Sequence, residues 1–292
     1  NVTLSDNESI TFRGNSAGHE YNSGATYSHG GGIYGQGDSI ILSGNENIMF
    51  RENKVFGKAT AYGGAISGIV DNITLSDNGS VSFYKNEAVG YGSVTGGAIG
   101  YGNAGIVSLY CNKNVTFSEN KVAVSYQNYD HYARGGAIYT WGDLHIRNND
   151  SVLFEKNAEE DNGEYHLRSI YANGGDGRTI AFSAGGSNTI EFRDSVYIGA
   201  GATVSFNEDY TDAEGTIHEQ TGDILFTGAT TEADLLAVKG IAGTADEILN
   251  SRTSEVYVMT DLYGGRLRVE DGAIYKGYGI TAHAGSDSTI RV

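Results

Sequence analysis

A chain of 292 residues is long enough for a large continuous core, yet its single cysteine allows neither an intrachain disulfide nor a CxxC metal or redox site. The formal charge of −17, from 19 Lys and Arg against 36 Asp and Glu, makes nucleic acid and anionic membrane surfaces poor partners. The 43 glycines lack the three-residue period of collagen, and no stretch approaches the ~20 apolar residues that cross a bilayer as a helix.

In chain order, one fifteen-residue phrase recurs. It reads NVTLSDNESITFRGN over residues 1–15 and SIILSGNENIMFREN over 39–53. It returns as NITLSDNGSVSFYKN over 72–86, IVSLYCNKNVTFSEN over 106–120 and DLHIRNNDSVLFEKN over 143–157. Each phrase ends in Phe-x-x-Asn: Phe12 and Asn15, Phe50 and Asn53, Phe83 and Asn86, Phe117 and Asn120, Phe154 and Asn157. The spacings are 38, 33, 34 and 37 residues, with fading copies at Phe192 and Phe226. Between phrases stands Gly-Gly-x-Ile, ending at Ile33, Ile66, Ile99 and Ile138.

Apolar residues alternate within each phrase, as in Val2, Leu4, Ile10 and Phe12, which marks half-buried strands. Each phrase therefore predicts two short strands divided by a turn at Asn7, Asn45, Asn78, Asn112 or Asn149, and Gly-Gly-x-Ile adds a third. Spacing this variable rules out a helical heptad. Three short strands repeated in tandem describe one coil of a solenoid. The expected fold is all-β: a right-handed parallel β-helix of about 8–9 coils, the hand following the chirality preference of parallel crossovers. Equivalent residues should stack about 4.8 Å apart. Phe and Ile would form internal stacks, and Asn, which tolerates left-handed backbone, would form ladders at the turns. Absence of proline suits a wall whose backbone groups pair on both sides. The alternative, an antiparallel β-sandwich, gives no reason for identical residues at every turn.

The pairing of Phe-x-x-Asn with Gly-Gly-Ala-Ile resembles the chlamydial polymorphic membrane protein family of autotransporter passenger domains. The likeness is strong over roughly the first 160 residues. GDILFTG at residues 222–228, NSRTS at 250–254 and GGRLRVEDGA at 264–273 look like the middle segment that follows the repeats in that family. GGGI in place of GGAI at Gly30–Ile33, and the decay of both motifs after Asn157, are departures. The resemblance implies secretion through the outer membrane by a C-terminal β-barrel outside this chain. It implies a bacterial cell-surface location, or release after processing, and adhesion to a host-cell surface protein or glycan, with self-association open. The chain begins within a strand phrase and is read as a piece of a longer protein. Residues 1–194 read as regular repeats and 195–292 as a continuing, less regular β-helix.

Binding residues are sought in what does not repeat. The segment between the two motifs is short at residues 54–62 and 87–95, and longer in the first, fourth and fifth repeats. The fourth, KVAVSYQNYDHYAR over 121–134, gathers Tyr126, Tyr129, Asp130, His131, Tyr132 and Arg134. The first carries His19, Tyr21, Tyr27 and His29; the fifth carries Glu159, Glu160, Asp161, Tyr165 and His166. All three are expected on one side of the solenoid, where Tyr suits protein interfaces and sugar stacking.

β-Helical lyases and hydrolases need clustered carboxylates, or calcium with a basic residue. The best row is Asp38, Asp71 and Asp143, with Asn103 at the matching place, each five residues after the isoleucine or nearly so. It reads as turn residues first and as a calcium ladder second. No cofactor, metal site, GxSxG or HExxH is indicated, and the histidines share no repeat position; His145 is expected to be exposed. The expectation is a non-enzymatic adhesin, with a structural stalk second and a polysaccharide lyase or hydrolase third. In the last third, residues 231–239 (TEADLLAVK) are either a short helix docked by Leu235, Leu236 and Val238 or an irregular strand and loop.

Overall fold

The computed structural model describes residues 1–18, 27–101, 105–125, 132–161, 163–211, 215–228, 231–239, 244–283 and 289–291. The second strand of every phrase lies in one parallel sheet of nine strands, from Ser9–Arg13 through Asn47–Arg51, Ser80–Tyr84, Asn114–Ser118 and Ser151–Glu155 to Thr289–Arg291. A second sheet of 18 strands joins the isoleucine strands, the first strand of each phrase and the strands that follow Phe-x-x-Asn. Together these make an all-β parallel β-solenoid of about six regular turns, with further stacked strands beyond them.

Register explains the repeat. Phe12 pairs with Phe50, Phe50 with Phe83, Phe83 with Phe117 and Phe117 with Phe154. Successive rings lie 5.0, 4.9, 4.7 and 4.8 Å apart and within 5° of parallel, so the ring spacing is that of the strands. Ile33, Ile66, Ile99 and Ile138 stack in the same way. Phe50, Phe83, Phe117 and Phe154 are fully buried. Gly-Gly is required where the chain doubles back: Gly63 has φ +62°, and a Cβ there would lie 1.9 Å from the Ile66 carbonyl oxygen.

The asparagines form two buried ladders, but they do not take the left-handed backbone themselves. The residue before each one does: Asp6, Asp77, Cys111 and Asn148 in one ladder, and Glu52, Lys85, Glu119 and Lys156 in the other, have φ of 52–57°. That turn aims the asparagine N–H and side chain along the stack. Asn86 donates from its N–H and Nδ2 to Asn120 Oδ1 at 3.1 and 2.9 Å, and from Nδ2 to the Phe50 carbonyl at 2.9 Å. Its own Oδ1 accepts the same pair from Asn53.

The ladder that runs through Asn157 ends on a carboxylate. Asp194 is 3% exposed and accepts from Lys156 N–H, Asn157 N–H, Asn157 Nδ2 and Ser169 Oγ at 2.8–3.1 Å. Burial pushes its carboxyl up to about 6, against the pull of those donors. Between the ordinary carboxylate range and that value the folded state binds the proton and the unfolded state does not. Stability from this group is therefore fully present in acid and declines as pH rises toward 6, by roughly 3 kcal/mol for a shift of about two units. Urea midpoints from pH 4 to 7 should show this slope in the parent chain, and Asp194→Asn should flatten it.

The segment between Phe-x-x-Asn and Gly-Gly is an arm of two strands in each early coil, not a simple loop. Lys54–Gly57 and Thr60–Tyr62 form one arm and Glu87–Gly90 with Ser93–Thr95 the next. Tyr27–His29, Thr60–Tyr62, Ser93–Thr95 and Ala133–Arg134 make a separate four-stranded sheet. Val55, Ala61, Ala88, Val94, Val122, Val124 and Ala133 give it its own small core. The sequence patterning missed these strands because they are two to four residues long, too short for an alternation to register.

In the last third Glu232–Lys239 is helical, with Leu235 buried, Leu236 48% exposed and the Val238 side chain outside the described residues. A second helix, Ala245–Arg252, was not anticipated. Its N-terminus carries a capping box of Thr244 and Glu247. It docks on the strand Glu164–Ala172 through Leu167 N–H to Ser251 Oγ at 2.9 Å. No helix among the described residues is long and apolar enough to cross a membrane, which says nothing of a β-barrel.

Candidate functional site

The four-stranded arm sheet stops at Ala133–Arg134. In the fifth repeat Ala158–Asp161 still pairs parallel with Lys121–Val124, but no second arm strand follows; the chain instead returns as residues 164–167, antiparallel to Ala158–Asp161. The change of direction leaves a cleft of about 410 Å³ beneath Arg134. Its walls come from five places in the chain: Tyr132 and Arg134; Glu159 and Asp161; Glu164, His166, Arg168 and Tyr171; Tyr197; and Glu255.

Arginines and tyrosines interleave here. The Arg134 guanidinium lies 4.0 Å from the Tyr132 ring centre and 4.6 Å from that of Tyr171, and Arg168 lies 5.7 Å from Tyr197. Tyr171 and Tyr197 stack at 4.2 Å. At the base, Glu159 is 2% exposed and pairs with Arg168 Nη1 at 2.7 Å while accepting the Gly135 N–H at 2.6 Å. Burial pushes the Glu159 and Asp161 carboxyls above the ordinary carboxylate range and holds His166 below the usual imidazole value.

The expected binding residues separate. Tyr132 and Arg134 line the cleft. Tyr27 stands 69% exposed on the first strand of the arm sheet. His29, Tyr62, Thr95 and Arg134 share one row of that sheet, so the first and fourth arms lie together. The fifth starts with them, residues 158–160 stacking on residues 121–123, but then turns back as a hairpin on which Tyr165 sits opposite Glu160, its hydroxyl 3.4 Å from Lys121 Nζ. Tyr21, Tyr126, Tyr129, Asp130 and His131, like His19, lie outside the described residues.

Arg168, Tyr171, Tyr197 and Glu255 were not found from the sequence. Tyr139, Tyr171 and Tyr197 each follow the apolar residue of the isoleucine row and pair in register. Reading that row outward from Ile138 would have disclosed them.

The carboxylate row does not extend to Asp143: Asp38 and Asp71 share a register and Asp143 falls outside it. Asp143 aligns with Ile106, and Ile106 with Asn72, which aligns with Ser39. Asp38 and Asp71 lie one residue earlier, because the connection after the isoleucine differs in length between coils. Asp143 Oδ1 instead accepts the Thr179 N–H at 2.9 Å, and Asn103 lies outside the described residues. Among the described residues no cluster of His, Cys, Asp and Glu fits a metal ion. His145, expected outside, is half-buried between the Ser108 and Ala181 strands; burial lowers its pKa. Cys111 is partly buried, and its Sγ accepts from Asn148 Nδ2 at 3.3 Å.

These features define a parallel β-solenoid with a ladder-stitched core and a charged aromatic cleft where its arm sheet ends. A model of the Chlamydia polymorphic membrane protein repeat matches residues 9–36 and 114–140, and the chain resembles that family. Each matched stretch runs from the second strand of a phrase through the arm to Gly-Gly. No curated protein and no solved structure gave a significant match.

Proposed function

We propose that this chain is a β-helical passenger segment of an autotransporter, held at the bacterial surface or outer membrane, and that it acts as an adhesin for a host-cell protein or glycan. The repeat match and the parallel solenoid support the passenger reading. One observation carries the adhesin reading beyond a bare stalk. The repeated residues are consumed by core and ladders, whereas Tyr132, Arg134, Tyr171 and Tyr197 gather from distant parts of the chain around one open cleft.

On this reading the solenoid is right-handed with eight or nine coils, which the nine-stranded sheet supports. Residues 1–194 form its regular part and 195–292 its less regular continuation. The passenger would be exported by a C-terminal β-barrel encoded beyond this chain. On this reading it works by contact and not by turnover; Asp143 lies out of register with Asp38 and Asp71, which weakens the case for a lyase row.

The test is binding of the labelled chain to cultured epithelial cells. Saturable binding, competed by unlabelled chain, is the expected result. Absence of saturable binding on every cell type tried would leave the structural stalk as the function.

A further inference from the structure

We propose that the cleft beneath Arg134 is a binding site for an uncharged sugar residue. The inference rests on the adhesin reading and names the class of ligand its cleft takes.

Size sets the first limit. About 410 Å³ is near the small end of the ~300–1,000 Å³ found for ligand sites, which suits a sugar ring and not a docked polypeptide. Tyr132, Tyr171 and Tyr197 supply aromatic walls with polar tips, a surface on which a ring can lay its C–H face while its hydroxyls meet polar groups.

The polar groups decide the ligand's charge. Nine buried side-chain polar atoms among the described residues meet no hydrogen-bond partner, and three of them belong to this lining: Asp161 Oδ1, His166 Nδ1 and Arg168 Nε. Unmet buried groups are costly and rare in folded proteins; these three lie just under the cleft surface, each with less than 1 Å² of its own area exposed, so a ligand meets them once a lining side chain turns aside. They are also of mixed kind. Asp161 Oδ1 accepts, Arg168 Nε donates, and a neutral imidazole nitrogen does either. An ammonium group would answer only the first and an anion only the second. A hydroxyl both donates and accepts, and a sugar presents several hydroxyls at different angles around one ring.

Local charge argues the same way. Glu159 is already matched by Arg168, which leaves Asp161, Glu164 and Glu255 against Arg134, with Lys276 3.2 Å from Glu255. Set in a chain of net charge −17, that balance repels a uronic or sialic acid. It does not repel a neutral hexose or N-acetylhexosamine.

The experiment titrates the full 292-residue chain with methyl glucoside, methyl galactoside, methyl mannoside and methyl N-acetylglucosaminide by saturation-transfer NMR and calorimetry. Glucuronate, N-acetylneuraminate and lysine amide form the charged arms. At least one neutral glycoside should bind saturably, with the charged probes tenfold weaker or worse. Asp161→Ala should weaken that binding tenfold or more. Glu164→Ala, at an exposed position whose loss leaves the core intact, should weaken it severalfold with an unchanged melting temperature. The proposal is overturned if a charged probe binds tighter than every neutral one, or if both variants keep full affinity. It is also overturned if no neutral glycoside binds while the chain still binds cells, in which case the adhesin reading stands with a different ligand. Failure to bind either sugars or cells would remove both.

Discussion

Asn86→Ala should destabilise the solenoid by about 3–5 kcal/mol, because three buried groups each lose a partner at a cost of ~1–3 kcal/mol apiece. Those groups are the Asn53 N–H, the Asn53 side-chain amide and the Phe50 carbonyl, all held by this one side chain. Asn86 is fully buried, so water cannot take its place. The same substitution at Asn7, which is exposed on the first coil, should cost about 1 kcal/mol or less, since surface groups find water. Urea unfolding of the two variants, followed by circular dichroism, reads the difference directly. Equal midpoints would mean that the ladder contributes no more inside the stack than at its end. A stack of repeats can lose cooperativity, so the first transition is the one to compare.

Phe117→Ala should cost a similar ~3–5 kcal/mol, the range for removing a buried aromatic side chain and leaving a cavity. The ring has no exposed surface and is sandwiched between Phe83 at 4.7 Å and Phe154 at 4.8 Å. Its strands are pinned in register on both sides, so neighbouring coils cannot collapse into the gap without breaking ladder hydrogen bonds. Phe12 lies at the same repeat position but is only partly buried, and Phe12→Ala should cost about half as much or less. Midpoints that fall together for Phe12 and Phe117 would contradict the stack as described.

Much of this fold was legible because a solenoid repeats its physics. Phe50, Phe83, Phe117 and Phe154 recur because a ring must meet a ring at the strand spacing. Asn recurs because a side chain that both donates and accepts can continue a ladder through any number of coils. What was not legible is where the repeat changes. The left-handed turn fell on the residue before each asparagine, and that position carries Gly in two coils but Asp, Glu, Lys, Cys or Asn in the others, with no shared chemistry to mark it. The arm strands are too short to show a period. Asp143 fell out of the row with Asp38 and Asp71 because counting from an isoleucine ignores connection length, whereas pairing does not.

The cleft was half legible for the same reason. Tyr132 and Arg134 stood out as an aromatic, charged interruption of the repeat. Their companions come from other coils: Arg168 and Tyr171 lie on the strand that returns after Ala158–Asp161, and Tyr197 and Glu255 stack beside Tyr171 in parallel register. The hairpin depends on contacts far along the chain, with the helix Ala245–Arg252 packed behind it. No local pattern around residue 160 predicts that support.

The central claim is that the interruptions of the repeat, and not the repeat itself, meet the partner. In the short third arm, Val89–Val94 spans the positions that residues 123–133 span in the fourth, since Val89 pairs with Ala123 and Val94 with Ala133. Replacing 123–133 by VGYGSV therefore shortens the arm while keeping both pairings. The deciding measurement is the cell-binding affinity of this exchange beside a variant with the outward repeat residues Met49, Ser82 and Thr116 changed to Ala. The account predicts at least a tenfold loss for the arm exchange and parental affinity for the outward-face variant, with both retaining the parental circular dichroism spectrum. Full binding by the arm exchange, with binding lost from the repeat face, would contradict it.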